Sequence, residues 1–221
     1  MSELAVIFDL DGTLIDSAPD IHAAVNLALR DIGHPGLPFA RVRSFIGHGA
    51  PALIAQVLAA TGAAPTHQAP LLQGFLRHYD TGATSLTGLY PGVTTALTAL
   101  HAASHPMAIC TNKPLSAAVP VLRAFDLLRF FPVVIGGDSL AQRKPHPAPL
   151  LAARSQLATR YAVFVGDSEV DAETALAAAL PFVLFTQGYR KTDIAQIPHR
   201  ANFADHSTLP GLVAALSQVL P

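Results

Sequence analysis

Five short runs along the chain are almost wholly apolar or β-branched: Leu4 to Phe8, Met107 to Thr111, Val133 to Ile135, Ala162 to Val165 and Phe182 to Phe185. Each is too short for a helix and is bounded by Gly, Pro or Asp, so each predicts a buried strand. From Pro91 onward the runs alternate with segments of helical spacing. Val93, Leu97 and Leu100 share one face, as do Leu150, Ala153 and Leu157, and then Leu209, Leu212, Val213 and Leu216. Such alternation implies right-handed crossovers and a mostly parallel sheet. Continuous rather than alternating apolar strands fit a sheet covered on both faces. The fold class expected is α/β, a doubly wound, Rossmann-like core.

Residues 17–85 break that alternation. Ser17-Ala18-Pro19-Asp20 reads as an N-cap with an early proline and a capping-box acid. Ile21, Ala24, Val25, Ala28, Leu29 and Ile32 then follow helical spacing, and Gly33 is placed to stop the helix. Leu53, Ile54, Val57 and Leu58 mark a second helix ending near Gly62, and Leu71, Leu72, Phe75, Leu76 and Tyr79 a third. The expected organisation is a core of residues 1–16 and 86–221 with a small helical cap, 17–85, inserted after the first strand. In open α/β sheets ligands sit at the carboxyl ends of the strands, so an insert there forms a lid. The polar segment from Lys191 to His206 carries no predicted element.

Composition narrows the class. Of 221 residues, 51% are hydrophobic and 13% charged, which excludes a disordered chain. Net charge is −1, so no basic field exists to hold nucleic acid or an anionic membrane. No apolar run approaches the ~18 residues that span a bilayer, and no basic region precedes the first apolar stretch as in a signal peptide. The single cysteine, Cys110, forms no disulfide within the chain and sits in an apolar run, where it reads as a small core residue. A cytoplasmic location fits.

Chemistry concentrates where strands end. Asp9 and Asp11 follow the first strand, two apart, with Gly12 permitting a sharp turn. Two close carboxylates need a cation or a shared proton, although Asp-Gly is also an ordinary turn signal. Asp167 ends the strand at Val165-Gly166, and Asp171 lies one helical turn on, where acids also favour the helix dipole. Four carboxylates meeting in one crevice form a hard-oxygen site suited to Mg²⁺. Thr111-Asn112-Lys113 and Lys144-Pro145 follow two further strands. A threonine hydroxyl, backbone N–H groups and a compact lysine cation can hold phosphate oxygens, though either segment alone is also an ordinary loop.

These four segments, in this order, resemble the motifs of the haloacid dehalogenase superfamily of phosphotransferases. Asp9-Leu10-Asp11-Gly12-Thr13 fits the first motif, Thr111-Asn112 the second, Lys144-Pro145 the third and Gly166-Asp167-Ser168-Glu169-Val170-Asp171 the fourth. The resemblance implies that Asp9 is the nucleophile and forms an aspartyl-phosphate, and that Asp11 is the general acid and base. It implies a Mg²⁺ cofactor held by Asp9, Asp11 (through its carbonyl) and Asp167, with Asp171 orienting the metal shell. Thr111, Asn112 and Lys144 would bind the phosphoryl oxygens. The second aspartate argues for a phosphatase or phosphomutase over a dehalogenase or phosphonate hydrolase.

The insert resembles the helical cap of the phosphoglycolate phosphatase group. Arg43-Ser44-Phe45-Ile46-Gly47-His48-Gly49-Ala50 looks like that group's cap loop, and Gly188-Tyr189 like its Gly-Tyr segment. Gly47 and Gly49 would let backbone approach a small substrate, while Arg43 or His48 would meet its carboxylate; a solvated arginine on a glycine-rich turn is the plainer alternative. Leu180 stands where the family usually has glycine. The partner implied is a small-molecule phosphate ester, foremost 2-phosphoglycolate, acted on by a monomer or homodimer. Alternatives are another sugar or nucleotide phosphatase, a phosphomutase, or a phosphate-sensing receiver domain with Asp138 as its acceptor. His101 and His105 are four apart but read as a solvated helix end rather than metal ligands.

Overall fold

The computed structural model describes residues 4–82 and 84–219. Strand β1 (Leu4–Phe8) leads through the turn at Gly12 to a two-residue strand, β2 (Ile15–Asp16). Four helices follow: α1 (Ala18–Asp31), α2 (Phe39–Arg43), α3 (Ala50–Thr61) and α4 (Gln68–Gly82). The chain returns through β3 (Gly88–Leu89) and then alternates: α5 (Val93–Ala102), β4 (Met107–Cys110), α6 (Leu115–Ala124), β5 (Val133–Ile135), α7 (Ala148–Gln156), β6 (Tyr161–Gly166), α8 (Glu169–Ala177), β7 (Phe182–Phe185). It closes with β8 (Ala201–Phe203) and α9 (Leu209–Val219).

The main sheet has six strands in the order β5-β4-β1-β6-β7-β8, all parallel. Strand periodicity of two divides its side chains between two cores. Leu4, Val6 and Phe8 of β1 pack with α5, α6 and α9 through Leu97, Val121 and Val213. Ala5 and Ile7 face the other way, toward Leu150 and Ala153 of α7 and Ala172 and Ala175 of α8. Every β1 residue is buried, as the continuous apolar run predicts. Cys110 is likewise a core residue, and burial pushes its thiol up to about 12.

Helices α1–α4 bury a third cluster, including Val25, Leu29, Ile54, Leu71 and Phe75, to which Ala117 of α6 adds a contact from the sheet side. The two strands that connect this helical unit to the sheet pair antiparallel, Ile15 with Leu89 and Asp16 with Gly88. They form a short ribbon at the crossing point.

Three expectations need correction, and the receiver alternative loses support at its candidate residue. Ser17 precedes α1 but makes no cap bond with its side chain. Its hydroxyl donates to Asp11 Oδ1 at 2.6 Å instead, while Asp20 accepts from the Leu86 and Thr87 N–H groups and the Thr87 hydroxyl. The local pattern reads as a cap; tertiary partners claim both groups. The polar stretch after Lys191 contains edge strand β8, too short to leave an apolar signature. His105 is buried, its Nδ1 2.9 Å from the Leu4 carbonyl oxygen, rather than solvated. Asp138, the receiver-type acceptor, is exposed and takes the N–H of Leu115 at the start of α6.

Candidate active site

The carboxyl ends of β1, β4 and β6 converge because these strands and β5 are neighbours in the sheet. Asp9 follows β1 directly, and its N–H continues the ladder to the Val165 carbonyl at 2.8 Å. Asp167 follows β6, and Asp171 occupies the third position of α8. Their carboxylates and that of Asp9 place ligand atoms within 4.8 Å of one another, all buried.

Such a group is unstable without positive charge. Burial, with the charges of Asp171 and Asp11, pushes the Asp9 carboxyl up to about 7 against the opposing pull of Lys144. Asp167 is raised well above the usual range, by burial first and then by Asp171 and Asp9. Lys144 Nζ lies 2.6 Å from Asp171 Oδ1 and 2.8 Å from Asp9 Oδ1. Its burial would discharge it, but Asp171 and Asp9 outweigh that and raise it. The lysine contact to Asp9 lacks hydrogen-bond geometry, so Asp9 Oδ1 is a buried oxygen with no hydrogen-bond partner among the described residues. Three buried carboxylates gathered around one ammonium leave an excess of negative charge, and that fits a divalent, oxygen-seeking cation.

Each acid is held differently. Asp171 Oδ2 accepts from Ser168 Oγ at 2.6 Å and from the Ser168 and Asp167 N–H groups at 3.2 Å, closing a capping box on α8. Asp167 accepts from Thr13 Oγ1 at 2.8 Å and from the Tyr189 N–H. Backbone walls it in. A Cβ on Gly188 would collide with both Asp167 Oδ2 and the Gly12 carbonyl oxygen, and one on Gly12 would meet Asp167 Oδ2 at 2.6 Å. Gly12 also has φ +89°, which disfavours any side chain.

The Asp11 carboxylate is not one of the three clustered acids. It turns to Lys113, whose Nζ donates to Oδ1 at 2.9 Å and to Oδ2 at 3.2 Å. Tyr79 OH lies 2.5 Å from the same Nζ, with its ring centroid 4.5 Å away. Burial alone would lower the Lys113 ammonium; Asp11 and the Tyr79 phenol outweigh that and raise it.

A cavity of about 60 Å³ opens onto these groups. Asp9, Asp11, Thr111, Asn112 and Lys113 line its polar end; Ile21, Leu53, Phe75 and Leu76, from the helical unit, line the apolar end. Asn112 Nδ2 donates to the Gly47 and Lys144 carbonyls, both at 3.0 Å. Gly47 and Gly49 line the cavity as expected of the loop, with φ +126° and +83°.

Arg43 and His48 do not. Arg43 donates to the Gly188 carbonyl at 2.6 Å and stacks 5.1 Å over the Tyr189 ring, and His48 is exposed. Arg43 thereby binds the helical unit to the segment that holds Asp167. Tyr189 extends this connection, its hydroxyl donating to Asp16 Oδ1 and accepting from the Ser17 and Ala18 N–H groups. Sequence reasoning assigns no individual role to Lys113, Tyr79, Thr13 or Tyr189. Lys113 carries the clearest signal among them, as a cation immediately after the Thr-Asn pair.

Comparison with known proteins agrees with this geometry. The family model described as haloacid dehalogenase-like hydrolase matches residues 4–179. A phosphoglycolate phosphatase of Cereibacter sphaeroides is 50% identical over 213 residues, 96% of this chain and 98% of that protein. One of Rhodobacter capsulatus is 47% identical, covering 95% and 96%. The crystal structure of a predicted phosphoglycolate phosphatase from Haemophilus somnus superposes with a TM-score of 0.91 at 31% identity, over 96% of this chain and 99% of that one. By its motif residues, its sheet order and these relatives, the chain belongs to the haloacid dehalogenase-like hydrolases.

Proposed function

We propose that the chain is a Mg²⁺-dependent phosphomonoesterase that hydrolyses a small phosphorylated acid, 2-phosphoglycolate, to glycolate and phosphate. The observation that carries this reading is one small cavity lined by Asp9, Asp11 and Thr111, with Asp167 and Asp171 clustered with Asp9. The names of the relatives at about half identity support the substrate.

Asp9 is the nucleophile. Its carboxylate attacks phosphorus in line, and the ester oxygen leaves as Asp11 delivers a proton to it. Asp11 then takes a proton from water, which attacks the aspartyl-phosphate and frees Asp9. Thr111, the Asn112 backbone and Lys144 hold the phosphoryl oxygens, leaving charge stabilisation as the main work of the site. Asp9, the Asp11 carbonyl and Asp167 would hold Mg²⁺, with Asp171 fixing the surroundings. When bound, Mg²⁺ supplies the positive charge that lets one anion approach another.

Residues 17–85 act as a cap on the core of 1–16 and 86–221, hinged where β2 pairs with β3. Supporting this are a cavity walled from both sides and the ties from Asp20 to Leu86 and Thr87 across the crossing. Closure excludes water from the phosphoryl group. No helix among the described residues is long and apolar enough to cross a membrane. The single cysteine, free and buried, fits a reducing cytoplasm, where the chain would act as a monomer or homodimer.

The test is phosphate release with Mg²⁺ from 2-phosphoglycolate, sugar phosphates, nucleotides and an aryl phosphate, with Asp9→Asn alongside. A lead for 2-phosphoglycolate that vanishes in Asp9→Asn sustains the reading. Turnover of the aryl ester alone would refute the substrate and leave the chemistry, and no turnover with any divalent metal would refute both.

A further inference from the structure

Lys113 is the single cation among the described residues lining the cavity. It is buried, and among the described residues its ammonium has one ion-pair partner, the Asp11 carboxylate, which the proposed mechanism requires at the ester oxygen instead. Its other close neighbour, the Tyr79 phenol, is held neutral by burial. Apart from these groups, Asp9, Thr111, Asn112 and the loop at Gly47 and Gly49, the lining is apolar, Leu53, Phe75 and Leu76 among it, so Lys113 is the positive charge this cavity offers an anion. Arg43 is occupied at Gly188 and His48 is turned to solvent.

We propose that Lys113 selects carboxylate-bearing esters by exchange: the substrate carboxylate replaces Asp11 at Lys113 Nζ, and Asp11 turns to the ester oxygen. A buried ammonium stripped of its counter-charge is strongly disfavoured. A neutral ester offers nothing to replace Asp11, which then stays clamped away from the reacting oxygen. A carboxylate satisfies Lys113 while releasing Asp11, so binding energy appears in turnover rather than in affinity alone. Reach fits a short substrate. The proposed mechanism puts the phosphoryl end at Thr111, and Lys113 follows two residues later, its N–H donating to Thr111 Oγ1 at 3.2 Å, with both residues lining the one cavity. Tyr79 fixes the ammonium from α4, so selection operates only while the helical unit is seated on the core.

This inference rests on the phosphorylated-acid reading, and one comparison separates the two. kcat and KM are measured for 2-phosphoglycolate and for 2-hydroxyethyl phosphate, the ester in which an uncharged hydroxymethyl group replaces the carboxylate, in wild type, Lys113→Met and Tyr79→Phe. The wild type prefers the acid, largely through kcat. In Lys113→Met the ratio of the two kcat/KM values falls by about 10- to 100-fold, the scale of one charge-assisted hydrogen bond. Tyr79→Phe, which keeps the ring, lowers the ratio by a smaller factor through KM and kcat together. If both esters lose activity equally in Lys113→Met and the ratio survives in Tyr79→Phe, Lys113 merely supports Asp11 and the exchange is refuted, while the substrate reading stands. If the wild type shows no preference for the acid, the substrate reading fails and the exchange falls with it. If Lys113→Met does not fold, the kcat preference and Tyr79→Phe decide: a preference expressed only in KM, with the ratio unmoved, overturns the proposal.

Discussion

His206 offers a test of what burial does to one imidazole. It is 1% exposed and lies against Tyr90, Phe185 and Phe203, with ring centroids 6.3, 4.5 and 5.2 Å away. Neither ring nitrogen has a hydrogen-bond partner among the described residues. Burial pulls its pKa from 6.5 down to about 4, weakly opposed by the Thr13 and Pro91 carbonyls and Asp205. The folded state therefore holds the neutral ring while the unfolded chain takes a proton. Stability from this site is present above pH 6.5 and is lost as pH falls toward 4. A tenfold change in proton activity is worth about 1.4 kcal/mol per proton bound, so between pH 7 and pH 5 the loss is about 2 kcal/mol. His206→Phe keeps an aromatic ring in an aromatic setting and removes the titration. Urea unfolding of both proteins at pH 7, 6 and 5 gives stability by linear extrapolation. The difference between variant and wild type should widen by about 2 kcal/mol from pH 7 to pH 5, because every other titrating group is common to both. A difference that stays constant to within about 0.5 kcal/mol would show that the fold accommodates the charged ring, and the argument would be wrong.

Four further outcomes follow from the site. Asp9→Asn should abolish turnover yet melt no lower than wild type in EDTA at pH 8, since it removes one of three mutually repelling carboxylates; a clearly lower Tm would contradict the burial argument. Gly188→Ala should weaken Mg²⁺ binding in calorimetry by about 10- to 100-fold, because the added methyl displaces Asp167. Asp20→Ala removes a buried carboxylate that accepts from the Leu86 and Thr87 N–H groups and should cost about 1–3 kcal/mol in urea unfolding. Adding Mg²⁺ at 100 times its Kd should stabilise the protein by about 2.7 kcal/mol over EDTA, read as a rise in Tm; no rise would mean that the acidic cluster does not hold the ion.

The sequence made the sheet legible because its strands are buried on both faces: Leu4 to Phe8 and Phe182 to Phe185 carry the same bounds in the structure. Strand β8 was illegible because three residues at an edge, one of them Asn202, need no apolar run. The motif residues were legible through their order along the chain, and the fold brings Asp9, Asp167 and Asp171 together. What the sequence does not show are the partners of groups that meet residues far along the chain. Ser17 and Asp20 imitate a local cap but bind Asp11 and Thr87. Tyr79 falls on the apolar periodicity of α4, yet its hydroxyl meets Lys113. Arg43 reads as a substrate ligand from its loop, but the acceptor it meets in space is the Gly188 carbonyl. Short-range pattern reports which side chains face inward; it does not report which element arrives to meet them.

The position of β1 has a consequence for biosynthesis. It is made before the other strands of its sheet and sits in the interior of that sheet, paired through Val6 with Met107 on one side and through Leu4 with Tyr161 on the other. Until β4 and then β6 emerge, both of its edges are unpaired and its apolar side chains uncovered. The helices that follow it bury a cluster built almost entirely from nearby segments, so they can gather while β1 waits. Contacts spanning so much chain make the last steps of folding slow. A nascent chain halted before residue 161 would therefore carry Asp9 at the end of a half-paired strand, a natural target for holding chaperones and for proteolysis.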